Sequence, residues 1–375
     1  MFRPLRLKVL LAAAVVIVFI ITSNQISSRH SRLAIFPSPY PPPPPPLSVA
    51  VLESEGCHDE VTAALVYAFA QQPLTNVTLY LKKARFGIQP IYHSFFSSGR
   101  PGADAPVRAT SRDFSPRNLQ QAAPHVVVMV TGDRRITFLT LSPHVHHYLL
   151  KTITPTWKTL IDVPPRIETF VPVFPVDPAL SSATAFNLGA EEIGFAIQGN
   201  ASPGRRNYTK VVLQLAELRR HKTAPDVRLH LLSGSSAIEQ VAIPAEVAEH
   251  VVVHRSLDYA DYYRLLGQNV ALLTAFESNA YYYERASSTI PAALISGTPV
   301  IADQRLLDAY SYLDRSLVWF REPGEEEMDV AVKVARETSA EERRARSAQV
   351  RRKNRDLCRA NVQMIASWVR ETANT

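Results

Sequence analysis

The stretch from Glu284 to Asp303, ERASSTIPAALISGTPVIAD, restricts the fold more than any other part of the chain. A carboxylate opens it, and three hydroxyl residues follow: Ser287, Ser288 and Thr289. An apolar run through Pro291, Ala293, Leu294 and Ile295 then has helical spacing. Gly297 reads as the helix stop, and Pro299 to Ala302 as a short buried strand. This order of loop, helix, glycine and strand puts the hydroxyls at a helix N-terminus. Unpaired backbone N–H groups and the positive end of the helix dipole attract phosphate there. Pro291 is tolerated because it falls in the first turn. The arrangement suits a diphosphate-linked ligand.

The segments before this motif alternate between strand and helix patterns. Ile193–Ile197 reads as a strand, Gly199 to Asn207 as a polar loop, and Tyr208 to Arg220 as a helix with Val211, Val212, Leu215 and Leu218 on one face. Val227 to Leu232, Val251 to His254 and Val270 to Leu273 read as further strands, with a helix over Tyr259 to Leu266. Such alternation predicts a doubly wound parallel sheet, whose ligands bind at the carboxyl ends of the strands. A similar layout comes earlier: a helix over Val61 to Ala70, and extended runs at Val77 to Leu81, Val126 to Val130, Thr159 to Val163 and Ile167 to Val173. Weak periodicity near Asp177 to Ala190 places a boundary there. The capping box of Ser339 and Glu342 starts a long final helix reaching past Trp368. With 375 residues the chain has room for two domains, expected at 57–180 and 181–375, the final helix packing back on the first.

Residues 1–56 have a different character. Arg3, Arg6 and Lys8 precede an apolar run from Val9 to Ile21. The run is short for a bilayer span, and its length also fits the apolar core of a cleaved signal. No small-x-small cleavage site follows Ile21, which favours an uncleaved signal anchor over 9–22 with a cytosolic tail at 1–8. The unbroken prolines from Pro41 to Pro46 exclude a helix or a central strand and predict a polyproline spacer within a stem over 23–56. Sequons at Asn76, Asn200 and Asn207 agree with a lumenal body in the Golgi or endoplasmic reticulum. Cys57 and Cys358 are the only cysteines; a disulfide between them and two free thiols both remain open.

The net charge is +7, and many of its cations crowd the final helix pattern, as in Arg343, Arg351 and Arg352. No nucleic-acid motif accompanies them, so they read as a solvated face. His144, His146 and His147 lack a carboxylate or cysteine at ligand spacing, and no metal site is expected. No Asp-x-Asp pair, Gly-x-Ser-x-Gly elbow, Gly-x-Gly-x-x-Gly or P-loop occurs.

Taken with Gly199, Arg205, Arg206 and Lys210 in the polar loop and helix start, the chain resembles the GT-B glycosyltransferases, in particular the retaining kind typified by family 4. Three features carry the likeness: the basic loop, the strand Val251 to His254 followed by Leu257 and Tyr259, and the Glu284–Asp303 motif. The resemblance implies two Rossmann-like domains facing a cleft and transfer of a sugar from a nucleotide sugar to a glycan, protein or lipid acceptor. It implies retention of the anomeric configuration, and the missing Asp-x-Asp pair leads to the expectation of transfer without a metal or cofactor. Arg205, Arg206, Lys210, Ser287, Ser288 and Thr289 would hold the donor diphosphate. Gly199, His254, Leu257 and Tyr259 would hold the nucleotide. Glu284 would contact the transferred sugar, with His58 and Asp59 as candidates for a base near the acceptor. The family's second carboxylate falls on Ala292, a departure that also admits a catalytically inactive binding protein on the same scaffold.

Overall fold

A computed structural model describes residues 15–19, 47–53, 59–72, 75–81, 91–92, 94–95, 126–128, 136–157, 166–176, 193–201, 204–221 and 227–373. The front half contributes strands β1 (Val15–Phe19), β2 (Leu47–Glu53), β3 (Thr75–Leu81), β4 (Val126–Val128), β5 (Ile136–Thr140) and β6 (Arg166–Thr169), with helices α1 (Asp59–Ala70) and α2 (Pro143–Tyr148). β3, β2 and β4 form one parallel sheet in that order. In a second sheet β5 pairs antiparallel with β1 and parallel with β6. α1 is apolar nearly all round, and Val61, Leu65, Val66 and Phe69 are buried. A helix of that kind has to be covered on several sides, and its residues share one core with the rear half.

The rear half runs β7 (Ile193–Gln198), α3 (Tyr208–Arg220), β8 (Val227–Ser233), β9 (Val251–Arg255), α4 (Tyr259–Gln268), β10 (Ala271–Leu273), α5 (Thr289–Ser296), β11 (Val300–Ala302), α6 (Gln304–Ala309), β12 (Val318–Phe320), α7 (Glu327–Glu337) and α8 (Ala340–Ala373). All six strands are parallel, in the order β12-β11-β10-β7-β8-β9. This is the doubly wound order in which the winding direction reverses between the first strand, β7, and the fourth, β10. Phe195, Ala196 and Ile197 in β7 are fully buried, as a central strand covered on both faces requires.

Every residue of α5 is buried. Its end is a Schellman motif: Thr298 N–H donates to the Ala293 carbonyl and Gly297 N–H to that of Leu294. Gly297 has φ +74°, and a Cβ there would lie 2.3 Å from Cγ of Arg351 on α8. Glycine thus ends one helix and lets another pass over it. α8 then crosses to the front half. Asn354 Nδ2 donates to the Phe174 carbonyl and Asn361 Nδ2 to that of Val171, both buried, while Gln72 Nε2 reaches the Val362 carbonyl.

The N-terminal region differs from expectation at two places. Leu47–Glu53, assigned to the stem, is a strand flanked by β3 and β4, so the folded body starts before Cys57. Val49 and Val51 are buried, and this apolar, β-branched segment suits the middle of a sheet. Val15–Phe19, assigned to a membrane helix, is extended and paired with β5. Four of its five residues are β-branched, which lowers helix propensity and favours a strand. Among the described residues no helix is long and apolar enough to cross a membrane. The proline run, Cys57, the Thr159–Val163 strand and the Asp177–Ala190 boundary lie outside the described residues; Cys358 is buried as a free thiol.

Candidate active site

The loop after β7 and the N-terminus of α5 meet at the reversal of the sheet. Arg206 is the centre of this meeting. It is 4% exposed, and its Nη2 donates to Ser287 Oγ at 3.1 Å and to Thr289 Oγ1 at 2.6 Å. Gln198, at the end of β7, donates from Nε2 to the same Thr289 oxygen at 3.0 Å. Thr289 N–H donates to Ser287 Oγ at 3.1 Å. Each buried hydroxyl oxygen therefore accepts two hydrogen bonds and keeps its own O–H to give away.

The guanidinium lies near the rings of Phe276 and Tyr281, at 6.0 and 5.9 Å, and those rings stack on each other at 4.6 Å. Its other flank is Gly199, with φ +117°, where a Cβ would sit 2.5 Å from Nη1. Only glycine leaves room for the cation and tolerates that backbone angle. Among the described residues Arg206 forms no ion pair with a carboxylate, and its buried Nε has no hydrogen-bond partner. A desolvated charge held only by neutral hydroxyls and aromatic faces costs several kcal/mol and invites an anion.

Glu327 fixes the opposite lip. Its buried carboxylate accepts from Thr274 N–H at 2.9 Å, Thr274 Oγ1 at 2.6 Å and Ala275 N–H at 2.9 Å. It thereby anchors the loop after β10 that carries Phe276 to Arg206. Burial outweighs these bonds and holds the carboxyl above its ordinary value.

A cavity adjoins this cluster over the carboxyl ends of β7, β8 and β9. Gly199, His254, Leu257 and Tyr259, the four residues assigned to the nucleotide, all line it. His254 is buried with Nε2 3.0 Å from Nδ1 of His230. Burial, then His254 and Arg228, push His230 down to about 4, and burial lowers His254 as well, so the pair is neutral at pH 7. The front half closes the cavity with Glu60 from the first turn of α1. Burial, then the neighbouring Asp59, push the Glu60 carboxyl up to about 7, against an opposing pull from Arg206.

The remaining candidates separate. Arg205 is exposed, and its carbonyl accepts from Glu277 N–H. Lys210 pairs with Glu326 of α7 at 2.9 Å on an exposed face, so its charge is committed away from the Ser287–Thr289 cluster. Ser288 is exposed at the start of α5 and makes no capping bond. Glu284 is half-buried, with Arg285 3.8 Å away. Asp59 is buried and accepts from the Tyr259 hydroxyl at 3.0 Å, a tie between the halves. His58 lies outside the described residues. Sequence reasoning missed Glu60, although it stands beside Asp59, because an acid in the first turn of a helix ordinarily serves the dipole. Gln198 and Glu327 carried no signal beyond polar residues at strand and helix ends.

The parallel sheets, with α1 on the front half and the doubly wound order of the rear half, match the α/β fold of the GT-B glycosyltransferases. Among solved structures the chain is similar to HepE of Anabaena in complex with UDP-glucose, at 13% identity and TM-score 0.52 over 86% of this chain and 100% of that one. It is also similar to a glycosyltransferase from Rickettsia africae, at 10% identity and TM-score 0.51 over 88% of this chain and 99% of that one. No protein-family model and no curated protein sequence matches the chain.

Proposed function

We propose that this protein is a glycosyltransferase that moves a sugar from a nucleoside diphosphate donor to an acceptor hydroxyl. One observation carries the reading: the buried Arg206 guanidinium, without an ion pair among the described residues, hydrogen-bonded to the hydroxyls that open α5. The complex of HepE with UDP-glucose supports a nucleotide sugar as the donor class. The diphosphate would receive the free Arg206 donors, the Ser287 and Thr289 hydroxyls and the α5 dipole. As the sugar–oxygen bond breaks, the same groups would stabilise the charge left on the diphosphate without a metal. Ser288 and Glu284, on the approach to α5, are assigned to the phosphate edge and the sugar hydroxyls.

Calorimetric titration with UDP, GDP, ADP and CDP tests the anchor. The reading expects at least one to bind wild type and to lose most of its affinity in Arg206→Ala. Turnover over a panel of nucleotide sugars tests the enzyme. Ala292, fully buried where the family-4 pattern has its second carboxylate, favours a second reading as a non-catalytic nucleotide-binding protein. Nucleotide binding with no transfer or donor hydrolysis across the panel would support that second reading.

For location, the basic residues ahead of the Val9–Ile21 run support a lumenal body tethered to a secretory membrane. The pairing of Val15–Phe19 with β5 supports inclusion of that run in the body. Carbonate extraction of membranes holding the full chain separates the two, since only a spanning helix stays in the pellet.

A further inference from the structure

Among the described residues that line the cavity beside Arg206 there is one carboxylate, Glu60, and it comes from the other half of the molecule. In doubly wound nucleotide sites, an acid following the second strand ordinarily receives the ribose hydroxyls. Here the second strand, β8, ends at Ser233 and is followed by Gly234 and Ser235, and Ser233 Oγ accepts from Ser235 N–H. The rear half therefore offers no carboxylate at that position. The other cavity walls are glycine, Leu232 and Leu257, the neutral His254, the tyrosines Tyr259 and Tyr262, and the small polar groups of Gln198, Ser233 and Ser256. None of these supplies two strong acceptors side by side.

A carboxylate does. Its two oxygens accept two O–H donors at once, the pattern that a cis-diol presents. Glu60 forms no ion pair among the described residues. The diphosphate anchor stands at β7 and α5, so the nucleoside of a bound donor extends along β8 and β9 into this cavity, toward Glu60. We propose that Glu60 receives the 2′- and 3′-hydroxyls of the donor's ribose, which makes the donor a ribonucleoside diphosphate sugar and excludes deoxyribonucleotide donors. The proposal rests on the diphosphate reading above and adds the identity of the pentose.

The charges around Glu60 set the pH at which this recognition operates. Asp59 beside it on α1 raises its proton affinity, Arg206 opposes, and Tyr259, Tyr262 and Tyr263 on α4 are uncharged near neutral pH. The neutral His254 faces it from β9. Diol donors bind the ionised carboxylate more strongly than the acid. Selectivity for ribose is therefore greatest above pH 7 and declines toward pH 6.

The test uses the full chain, with UDP, GDP, ADP and CDP and their 2′-deoxy counterparts, titrated calorimetrically at pH 8 and pH 6. Wild type is expected to prefer the best ribonucleotide over its deoxy form by roughly tenfold at pH 8, as a hydrogen bond to a charged group is worth about that or more. Glu60→Gln is expected to bind the diphosphate still and to lose most of the preference. Equal binding of the ribo and deoxy forms by wild type, or an unchanged preference in a folded Glu60→Gln, overturns the proposal while leaving the diphosphate anchor standing. Should the variant not fold, the wild-type pH series decides: a preference that does not shrink from pH 8 to pH 6 overturns the assignment to Glu60. Failure of every diphosphate to bind wild type overturns the diphosphate reading, and this proposal with it.

Discussion

The two halves of the molecule solve different problems. In the rear half, six parallel strands stand in doubly wound order, and the site arises where that order reverses, from Gln198, Arg206, Ser287 and Thr289. Among the described residues, the front half divides its strands between two three-stranded sheets and offers the cavity a single ionisable side chain, Glu60. The rear half thus supplies a fixed positive cradle, whose geometry follows from backbone topology. The front half supplies one titratable group, whose position depends on how α1 docks. A cradle built from topology should respond to substitution as an all-or-none anchor, and a docked carboxyl should respond gradually and with pH.

The sharpest contrast is expected at Arg206. Arg206→Ala should lower diphosphate affinity about a hundredfold or more, since it removes a charge-assisted, partly desolvated contact. Arg206→Lys should recover only part of this, because one ammonium cannot serve both hydroxyls and a phosphate in the fork geometry. If Arg206→Ala binds as wild type does, the rear half is no cradle and the contrast breaks.

Next in size is Gly199→Ala. The added methyl meets Nη1 at 2.5 Å in a backbone region that alanine disfavours, which costs about 1–3 kcal/mol. Thermal melting should show the loss of stability, and titration should show weaker diphosphate binding because the guanidinium has to move.

Glu60→Gln should act differently. A carboxyl raised on folding favours the native state while protonated. That contribution is complete below the unfolded value of 4.5 and is lost as pH rises through about 7. Wild type should therefore lose on the order of 2 kcal/mol relative to Glu60→Gln between pH 4.5 and pH 8. Denaturant midpoints of the two proteins over that range check it; parallel pH profiles would show that α1 docks without burying the carboxyl.

The smallest effects belong to Arg205→Ala and Lys210→Ala. Both side chains are exposed, and the Lys210–Glu326 pair is a surface ion pair of about 0–1 kcal/mol. Diphosphate affinity should change less than threefold in each. A large loss in either would move the anchor outward, to the surface of α3.

The difference between the halves also governs what could be read from residues alone. α3 was expected over Tyr208–Arg220 and is found there, because its apolar spacing has one face to bury. The stop at Gly297 was legible from helix-end chemistry. β2 was not, since it follows a proline run and lies in a segment whose composition suggested a spacer. Val15–Phe19 reads as apolar by composition, and composition does not distinguish a bilayer from a partner strand. At the site, Arg206 and the α5 hydroxyls were legible as residue types at a strand end and a helix start. Their pairing through Nη2 was not, because it depends on Phe276 and Tyr281 holding the guanidinium and on Gly199 leaving space. Arg205 and Lys210 show the limit of pattern: neighbours in sequence, they diverge from Arg206 because their side chains lead to solvent and to Glu326. Glu60 depends on a docking of α1 that no local pattern encodes.

The claim on which the rest depends is that the buried guanidinium at the reversal of the rear sheet holds a diphosphate. Parallel calorimetric titrations of wild type and Arg206→Ala with the four common ribonucleoside diphosphates, and with the matching nucleosides, test it most directly. The account predicts one clear binder among the diphosphates, weak binding of its nucleoside to both proteins, and loss of the diphosphate advantage in the variant. Equal affinity for diphosphate and nucleoside in wild type, or an advantage untouched by Arg206→Ala, would contradict it.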